Sequence, residues 1–172
     1  MATYTLISSN VLASSAASVT FSSIPATYTD LVLKISSRAS NSAVTQNIYL
    51  EFNGNTSAIY SRTLLSGTGA AAGSSRNSAD VIIDATYAQN GDTATASSFG
   101  SAEVYIPSYT VSQNKPISVF GAGETNATTA YMGNVAGLFG STTAISSIKL
   151  SNPSTHSFIT GSSFYLYGIS NA

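Results

Sequence analysis

Regular alternation of apolar and polar side chains is the feature that most constrains the fold of this chain. The clearest case is the stretch 28–38, in which Leu31, Leu33 and Ile35 are separated by residues that point to the opposite side if the backbone is extended. Successive side chains leave opposite faces of a strand, so this pattern indicates a strand with one dry and one wet face. The stretch 46–53, Q-N-I-Y-L-E-F-N, repeats the pattern. We predict that these two segments are central strands of a sheet.

Segments of the same kind recur along the whole chain, and none of it has the pattern of an amphipathic helix. Turn signals separate about ten short strands, which is typical of an all-β protein with a two-sheet β-sandwich. We predict one domain over 1–172, of the jelly-roll type, with two facing four-stranded antiparallel sheets and an N-terminal arm within 1–18. The predicted strands are 3–8, 17–24, 28–38, 46–53, 57–65, 79–86, 98–107, 116–121, 129–140, 145–151 and 162–169.

Three connecting segments carry more specific expectations. Asn53–Gly54 is a strong hairpin signal, because both residues tolerate positive φ, and it predicts that 57–65 folds back on the strand before it. The segment 66–78 is rich in Gly, Ala and Ser, which predicts a mobile loop. No lysine follows its glycines, so it is not a phosphate-binding loop. The small residues of 129–140 predict that a neighbouring strand approaches its backbone closely.

Charged residues make up only 8% of the chain, against about 25% in an average protein. The net charge is −1 and the basic residues form no stripe, so the electrostatic footprint of nucleic-acid binding is missing and we expect no nucleic-acid partner. Repulsion between charges protects such a surface only weakly against association. Two alternatives follow: a surface covered by other copies or by a partner, and a neutral secreted domain.

The chain contains no cysteine, which excludes disulfides and thiolate metal sites. Its N-terminal sequence, M-A-T-Y-T-L-I-S-S-N, has neither the positive leader nor the apolar run of a signal peptide. No apolar stretch approaches the roughly 20 residues of a membrane helix. We expect synthesis in a cytoplasm and no membrane partner.

Residue types that support catalysis or metal binding are sparse. His156 is the only histidine and lies in a predicted loop, so a metal site would need carboxylates for its other ligands. Asp80 and Asp84 are four apart on one predicted strand, while Glu51 and Glu103 lie on others; paired carboxylates support glycoside hydrolysis only at suitable separations. Neither a G-x-S-x-G motif nor a D-x-D-x-D-G run is present. We predict no enzymatic activity, no cofactor and no metal ion.

Ten tyrosines without a tryptophan are the most distinctive part of the composition. Tyr49, Tyr105, Tyr165 and Tyr167 fall within predicted strands, and several are expected on outward faces. Tyrosine joins an apolar ring to a polar hydroxyl and is favoured at interfaces and in sugar-binding grooves. The alternative is that these rings fill the edges of the sandwich core.

Six segments carry a family resemblance that extends over nearly the whole chain in the same order. They are Y-T-L-I-S-S at 4–9, V-T-F-S-S-I-P-A-T-Y-T-D-L-V-L-K-I-S-S-R at 19–38, L-E-F-N-G-N at 50–55, A-E-V-Y-I-P-S-Y at 102–109, N-A-T-T-A-Y at 126–131 and F-Y-L-Y-G-I at 164–169. Together they resemble a family of small virion proteins of tailed bacteriophages, particularly marine and cyanobacterial ones. These motifs are structural rather than catalytic.

The resemblance implies a non-enzymatic virion protein. The first interpretation is a capsid decoration (cement) protein, a homotrimer that binds the major capsid protein on the outside of the virion. The second is a tail-fibre domain that recognises host surface glycans; an enzyme such as a capsule depolymerase is the least favoured. For decoration we expect contact through the segment 3–18 and one exposed strand edge, since an unpaired edge is a template for pairing. The predicted partner-binding residues are Tyr4, Leu6, Ile7, Tyr49, Tyr105 and Tyr109.

Overall fold

A computed structural model describes residues 3–127 and 129–170, and every regular element in that part of the chain is a β-strand. Twelve strands, each antiparallel to its neighbours, form two sheets, which confirms the predicted all-β class and agrees with a β-sandwich. The strands are β1 (Thr3–Val11), β2 (Ser18–Phe21), β3 (Asp30–Ser37), β4 (Thr45–Phe52), β5 (Tyr60–Gly67), β6 (Ala72–Asp80), β7 (Ile83–Asn90), β8 (Gly100–Ile106), β9 (Lys115–Glu124), β10 (Ala130–Phe139), β11 (Ile148–Ser151) and β12 (Ser163–Ser170).

The two sheets are unequal in size. The larger has eight strands in the order β1-β12-β3-β8-β9-β10-β5-β6, and the smaller has four in the order β2-β11-β4-β7. The expectation of two four-stranded sheets is therefore wrong. The difference comes from β9, β10, β5 and β6, which continue the larger sheet beyond β8 because β9 pairs with β8 and β10 pairs with β5.

Alternation places one face of each sheet in a shared apolar core. Leu31, Leu33 and Ile35 of β3 are buried, and β4 buries every second residue from Ile48 to Phe52. Burying one such side chain fully contributes about 1.5–3 kcal/mol, so the alternation decides which face becomes core. Both strands lie inside a sheet, as predicted, although they belong to different sheets.

Glycines on the inner face of the larger sheet let β7 lie directly against it. Gly121 and Gly133 are opposite each other on β9 and β10. A Cβ on Gly121 would come within 2.8 Å of the Cα of Ala88, and a Cβ on Gly133 would overlap the carbonyl oxygen of Thr86. The predicted close approach along 129–140 is confirmed, and the backbone of β7 is the neighbour.

The predicted mobile loop at 66–78 is wrong. This part of the chain forms a hairpin in which β5 pairs with β6 around a turn at 68–71. The other neighbour of β5 is β10, so 57–65 does not fold back on the strand before it. Asn53 and Gly54 do adopt positive φ, 55° and 63°, but their turn passes the chain from the smaller sheet to the larger. A tight turn sets the local direction of the chain but does not determine which strand the next segment pairs with.

The N-terminal arm predicted within 1–18 is mostly a strand of the larger sheet. Thr3–Val11 forms β1, which pairs with β12 at the edge of the sheet. Eight of the nine side chains of β1 are exposed, so backbone hydrogen bonds hold it in place. The first two residues of the predicted arm lie outside the described residues.

Arg38 organises the loop 91–98, which connects β7 and β8. Its side chain is buried, and its guanidinium donates hydrogen bonds of 2.7 to 3.1 Å to four carbonyl oxygens of that loop. A single arginine at a strand end has no periodic pattern, so the sequence did not predict this arrangement. The four acceptors belong to Asp92, Ala94, Thr95 and Ser98.

Candidate interaction surface

The smaller sheet covers only one face of the larger sheet. The opposite face, called here the outer face, carries no further layer within residues 3–127 and 129–170. Alternate residues of β9 and β10 point to it and are exposed, as alternation along a strand requires. These residues include Pro116, Ser118, Phe120, Met132, Asn134, Ala136 and Leu138.

Four large apolar side chains of the outer face are exposed, and together they are called here the apolar patch. They are Leu65 (59% exposed), Phe120 (50%), Met132 (42%) and Leu138 (36%). Phe120 lies opposite Asn134, which lies opposite Leu65, so the patch spans β9, β10 and β5. An exposed apolar patch on a folded protein commonly marks a site of interaction with another molecule.

A depression of about 270 Å³ lies in the outer face. Its floor holds Ser118 and Ala136, which are directly opposite each other, and their small side chains leave room between larger neighbours. Those neighbours include Tyr105, Pro107 and Asn134. The volume is near the lower limit of about 300 Å³ for small-molecule sites, so it suits one side chain or one sugar ring better than a cofactor.

Tyrosines dominate the outer face near β1. The rings of Tyr4 and Tyr167 meet edge to face with their centroids 6.5 Å apart, and Leu6 is the register partner of Tyr167. The hydroxyl of Tyr105 donates to Asp30 at 3.0 Å. Burial, and then this contact with Asp30, raise the pKa of Tyr105 above its usual value, so the phenol stays neutral and remains a donor.

The ion pair between Lys34 and Glu103 lies near the middle of the outer face. In the strand register it separates Tyr165 on β12 from Phe120 on β9. Both charged side chains are about half exposed, and such a pair contributes only about 0–1 kcal/mol to stability. The pair therefore adds little to the stability of the fold. Its positive and negative ends are better suited to orienting a partner on the outer face.

The predicted partner-binding residues are divided among three places. Tyr4, Leu6 and Tyr105 share the outer face. Ile7 is half-buried and packs against the core. Tyr49 lies on β4 of the smaller sheet, where its register partner is Asp84.

Tyr109 must be withdrawn from the candidate surface, because it is fully buried. Its hydroxyl donates to the carbonyl oxygen of Pro25 and accepts from the backbone N–H of Tyr28 at 3.4 Å. Tyrosine is favoured in interfaces and in cores for the same reason, its apolar ring with a polar tip. The sequence alone does not separate the two roles.

The sequence reading missed the apolar patch. Both alternating sets of β10 are apolar or small: Val135 and Phe139 face the core, and Met132 and Leu138 face outward. A strand with apolar residues on both faces is typical of one that is covered on both sides. That signal in 129–140 could have revealed the patch.

Asp80 and Asp84, the acidic residues predicted to share one strand face, lie on two different strands. Asp80 ends β6 and Asp84 lies in β7, so the prediction that they share one strand is wrong. Asp84 accepts a hydrogen bond from Arg62 at 3.1 Å. Burial raises the pKa of Asp84 above its usual 3.8, and Arg62 offsets part of that rise. His156 is half-buried in the loop after β11.

Across the part of the chain that the structure describes, no group of three or more His, Cys, Asp or Glu side chains is arranged to hold a metal ion. In the same residues, no helix is long and apolar enough to cross a membrane. Neither a protein-family model nor a curated protein matches the chain.

Proposed function

We propose that this protein is a non-enzymatic virion structural protein that decorates the outside of an assembled phage capsid. Its outer face would lie on the major capsid protein, with the chain acting as a homotrimer. The uncovered, weakly charged outer face with its apolar patch is the observation that carries the proposal. A face of this composition is more stable when another surface covers it.

The size of the outer face supports this role. Eight strands spaced by about 4.8 Å, each about 25 Å long, present roughly 850 Å². One side of a standard protein interface buries about 800 Å². The outer face alone is therefore large enough for specific binding.

The strand order also supports a capsid-associated protein. Without β5, β6, β9 and β10, the remaining strands have the orders β1-β12-β3-β8 and β2-β11-β4-β7. We infer that these eight strands form a jelly roll, a fold found in viral capsid proteins and in lectins, and that the four others are additions to it. The additions carry the whole apolar patch.

The mechanism would be stabilisation by mass action. A protein that binds the assembled lattice and has no affinity for free subunits stabilises the lattice by RT ln(1 + [L]/Kd) per site. At a free concentration of 100 times Kd this is about 2.7 kcal/mol per site. Many sites on one shell add up to a large effect without any catalytic group.

Cosedimentation with purified capsids of the encoding phage, assembled without this protein, tests the proposal. We expect the wild-type chain to saturate the shell and the double variant Phe120→Asp/Met132→Asp to lose at least tenfold in affinity. Val111→Asp is the matched control, since Val111 is similarly exposed but lies in a loop away from the patch. Equal occupancy by the double variant, or no binding by the wild type, would refute the proposal.

The depression favours a second candidate, a tail-associated domain that binds host glycans. It places the ring of Tyr105 and the amide of Asn134 around an apolar floor, a combination that suits a sugar ring. A glycan array separates the two candidates. Binding of a glycan by the wild type and its loss in Ala136→Phe, which fills the depression, would favour the tail role.

A further inference from the structure

The two outermost strands of the larger sheet, β1 and β6, are unusually exposed. Each is nine residues long, and eight side chains of each are exposed. Neither has a described strand neighbour on its far side, so β6 and the part of β1 at 4–11 can offer backbone groups to another strand. Such an edge is a ready template for pairing with another chain.

Natural sheet edges are commonly protected by charged residues, proline or bulges. β1 contains no charge and no proline; its one protective feature is an irregularity between Leu6 and Ser8. β6 has Arg76 within its regular part, and its bulge comes only near the end, at Ala79. β6 therefore keeps a long regular stretch that another strand could join, and β1 keeps four residues on each side of its irregularity.

The even number of strands in the larger sheet makes its two edges complementary in direction. All eight strands are antiparallel to their neighbours, so the first and the eighth run in opposite directions. A second copy placed beside the first in the same orientation brings its β1 antiparallel to β6 of the first. The sheet then continues across the junction with both outer faces on the same side.

Side chains at the two edges are compatible with this junction. The outward residues of β6 include Ser74 and Ser78, which are small, and Leu65 of the apolar patch is the register partner of Ser74. β1 presents Tyr4 and Leu6, both more than half exposed. A tyrosine or leucine of the incoming strand can reach across a serine toward Leu65. Arg76 meets no like charge, because β1 is uncharged.

We infer that copies of this protein associate head to tail, with β1 of one copy pairing with β6 of the next. We take a second copy as the partner because the two exposed edges of its own sheet run in opposite directions and therefore fit each other. Head-to-tail contacts close into a ring or continue as a filament, depending on the rotation between copies. This inference does not depend on capsid binding.

Charge substitutions at the edges test the junction by sedimentation velocity. Leu6→Lys blocks β1, Ser74→Lys blocks β6, and Ser14→Lys, in an exposed loop, is the matched control. We expect the wild type and Ser14→Lys to associate as concentration rises and each edge variant alone to be monomeric. An equimolar mixture of the two edge variants should give a dimer, since one open β6 and one open β1 remain.

Amide hydrogen exchange provides a second readout on the intact protein. Protection of β1 and β6 should rise together with protein concentration, while that of β3 should stay constant. Circular dichroism should show that each variant keeps the wild-type fold. A monomeric wild type at millimolar concentration would overturn the inference. So would association of Ser74→Lys alone, which would indicate a symmetric β1–β1 junction instead.

Discussion

Buried charges show how single residues act in this protein. Among the described residues, Asp30, Arg38, Asp84 and Lys115 are buried although the chain has few charges in total. A buried charge costs free energy unless hydrogen bonds or an opposite charge compensate for it. Arg38 is compensated by four loop carbonyls, and Asp84 mainly by the guanidinium of Arg62. Substitutions at these two positions should therefore have different effects.

Replacing Arg38 by Met should destabilise the fold. The change leaves four loop carbonyls without their donor, and we expect the free energy of unfolding to fall by about 2–4 kcal/mol. Urea denaturation measures the loss. Arg76→Met is the matched control: Arg76 is exposed on β6, so its replacement should stay within about 0.5 kcal/mol. Equal effects of the two substitutions would contradict the structural role of Arg38.

Asp84→Asn should change how stability depends on pH. Because burial raises the pKa of Asp84, the folded state holds the proton more tightly than the unfolded chain. The contribution of Asp84 to the free energy of unfolding is fully present below pH 3.8. It is lost as the pH rises through the raised pKa of the folded state. Asparagine does not ionise, so the free energy of unfolding of the variant relative to wild type should rise across that window and then level off. Denaturation at a series of pH values checks this, and parallel curves would contradict it.

At the scale of elements, the position of β7 depends on glycines in β9 and β10, which have no side chain at the contact. β7 lies against β9 and β10 because Gly121 and Gly133 have no side chains at the contact. Gly137 continues the same surface, where a Cβ would lie 2.9 Å from the Cδ1 of Ile83. The approach of the two sheets is therefore set by glycine at specific register positions.

Gly133→Ala should separate β7 from the larger sheet. Its new methyl group would overlap the carbonyl oxygen of Thr86, a backbone atom that moves only with the strand. We expect a loss of about 2–3 kcal/mol in the free energy of unfolding. Gly67→Ala is the control, since its methyl group would make ordinary contact with Met132 at 3.5 Å, and it should be neutral or slightly stabilising. If thermal or urea unfolding shows the same stability for both variants, the contact does not determine the packing.

The sequence predicted those strands in which buried and exposed side chains alternate. β4 and β8 were found because the core takes every second residue of their buried parts, and β3 because Leu31, Leu33 and Ile35 are buried in the same way, although its outward Val32 is buried as well. β6 was missed because it has no buried apolar residue, so only its backbone pairing with β5 makes it a strand. Backbone hydrogen bonds to a neighbouring strand leave no periodic trace in the side chains of the residues that make them.

At the scale of the whole molecule, the alternation predicted two stacked layers but not their unequal widths. The larger sheet gains β9 and β10 through the pairing of β9 with β8, and it gains β5 and β6 through the pairing of β10 with β5, which lie far apart in the sequence. The outer face follows from that extension, and so does the apolar patch. Of the residues chosen from the sequence, Tyr4, Leu6 and Tyr105 lie on this face, whereas Tyr109 is in the core.

The backbone contact of β7 with the glycines has a mechanical consequence. Sliding β7 along the sheet by one residue would bring side chains onto peptide groups, so the two layers resist shear unless they first separate. Force applied to the outer face therefore passes into the smaller sheet through rigid backbone rather than through deformable side chains. On a curved support, we expect bending mainly at β6, which has no buried side chain, while the remainder behaves as a stiff plate.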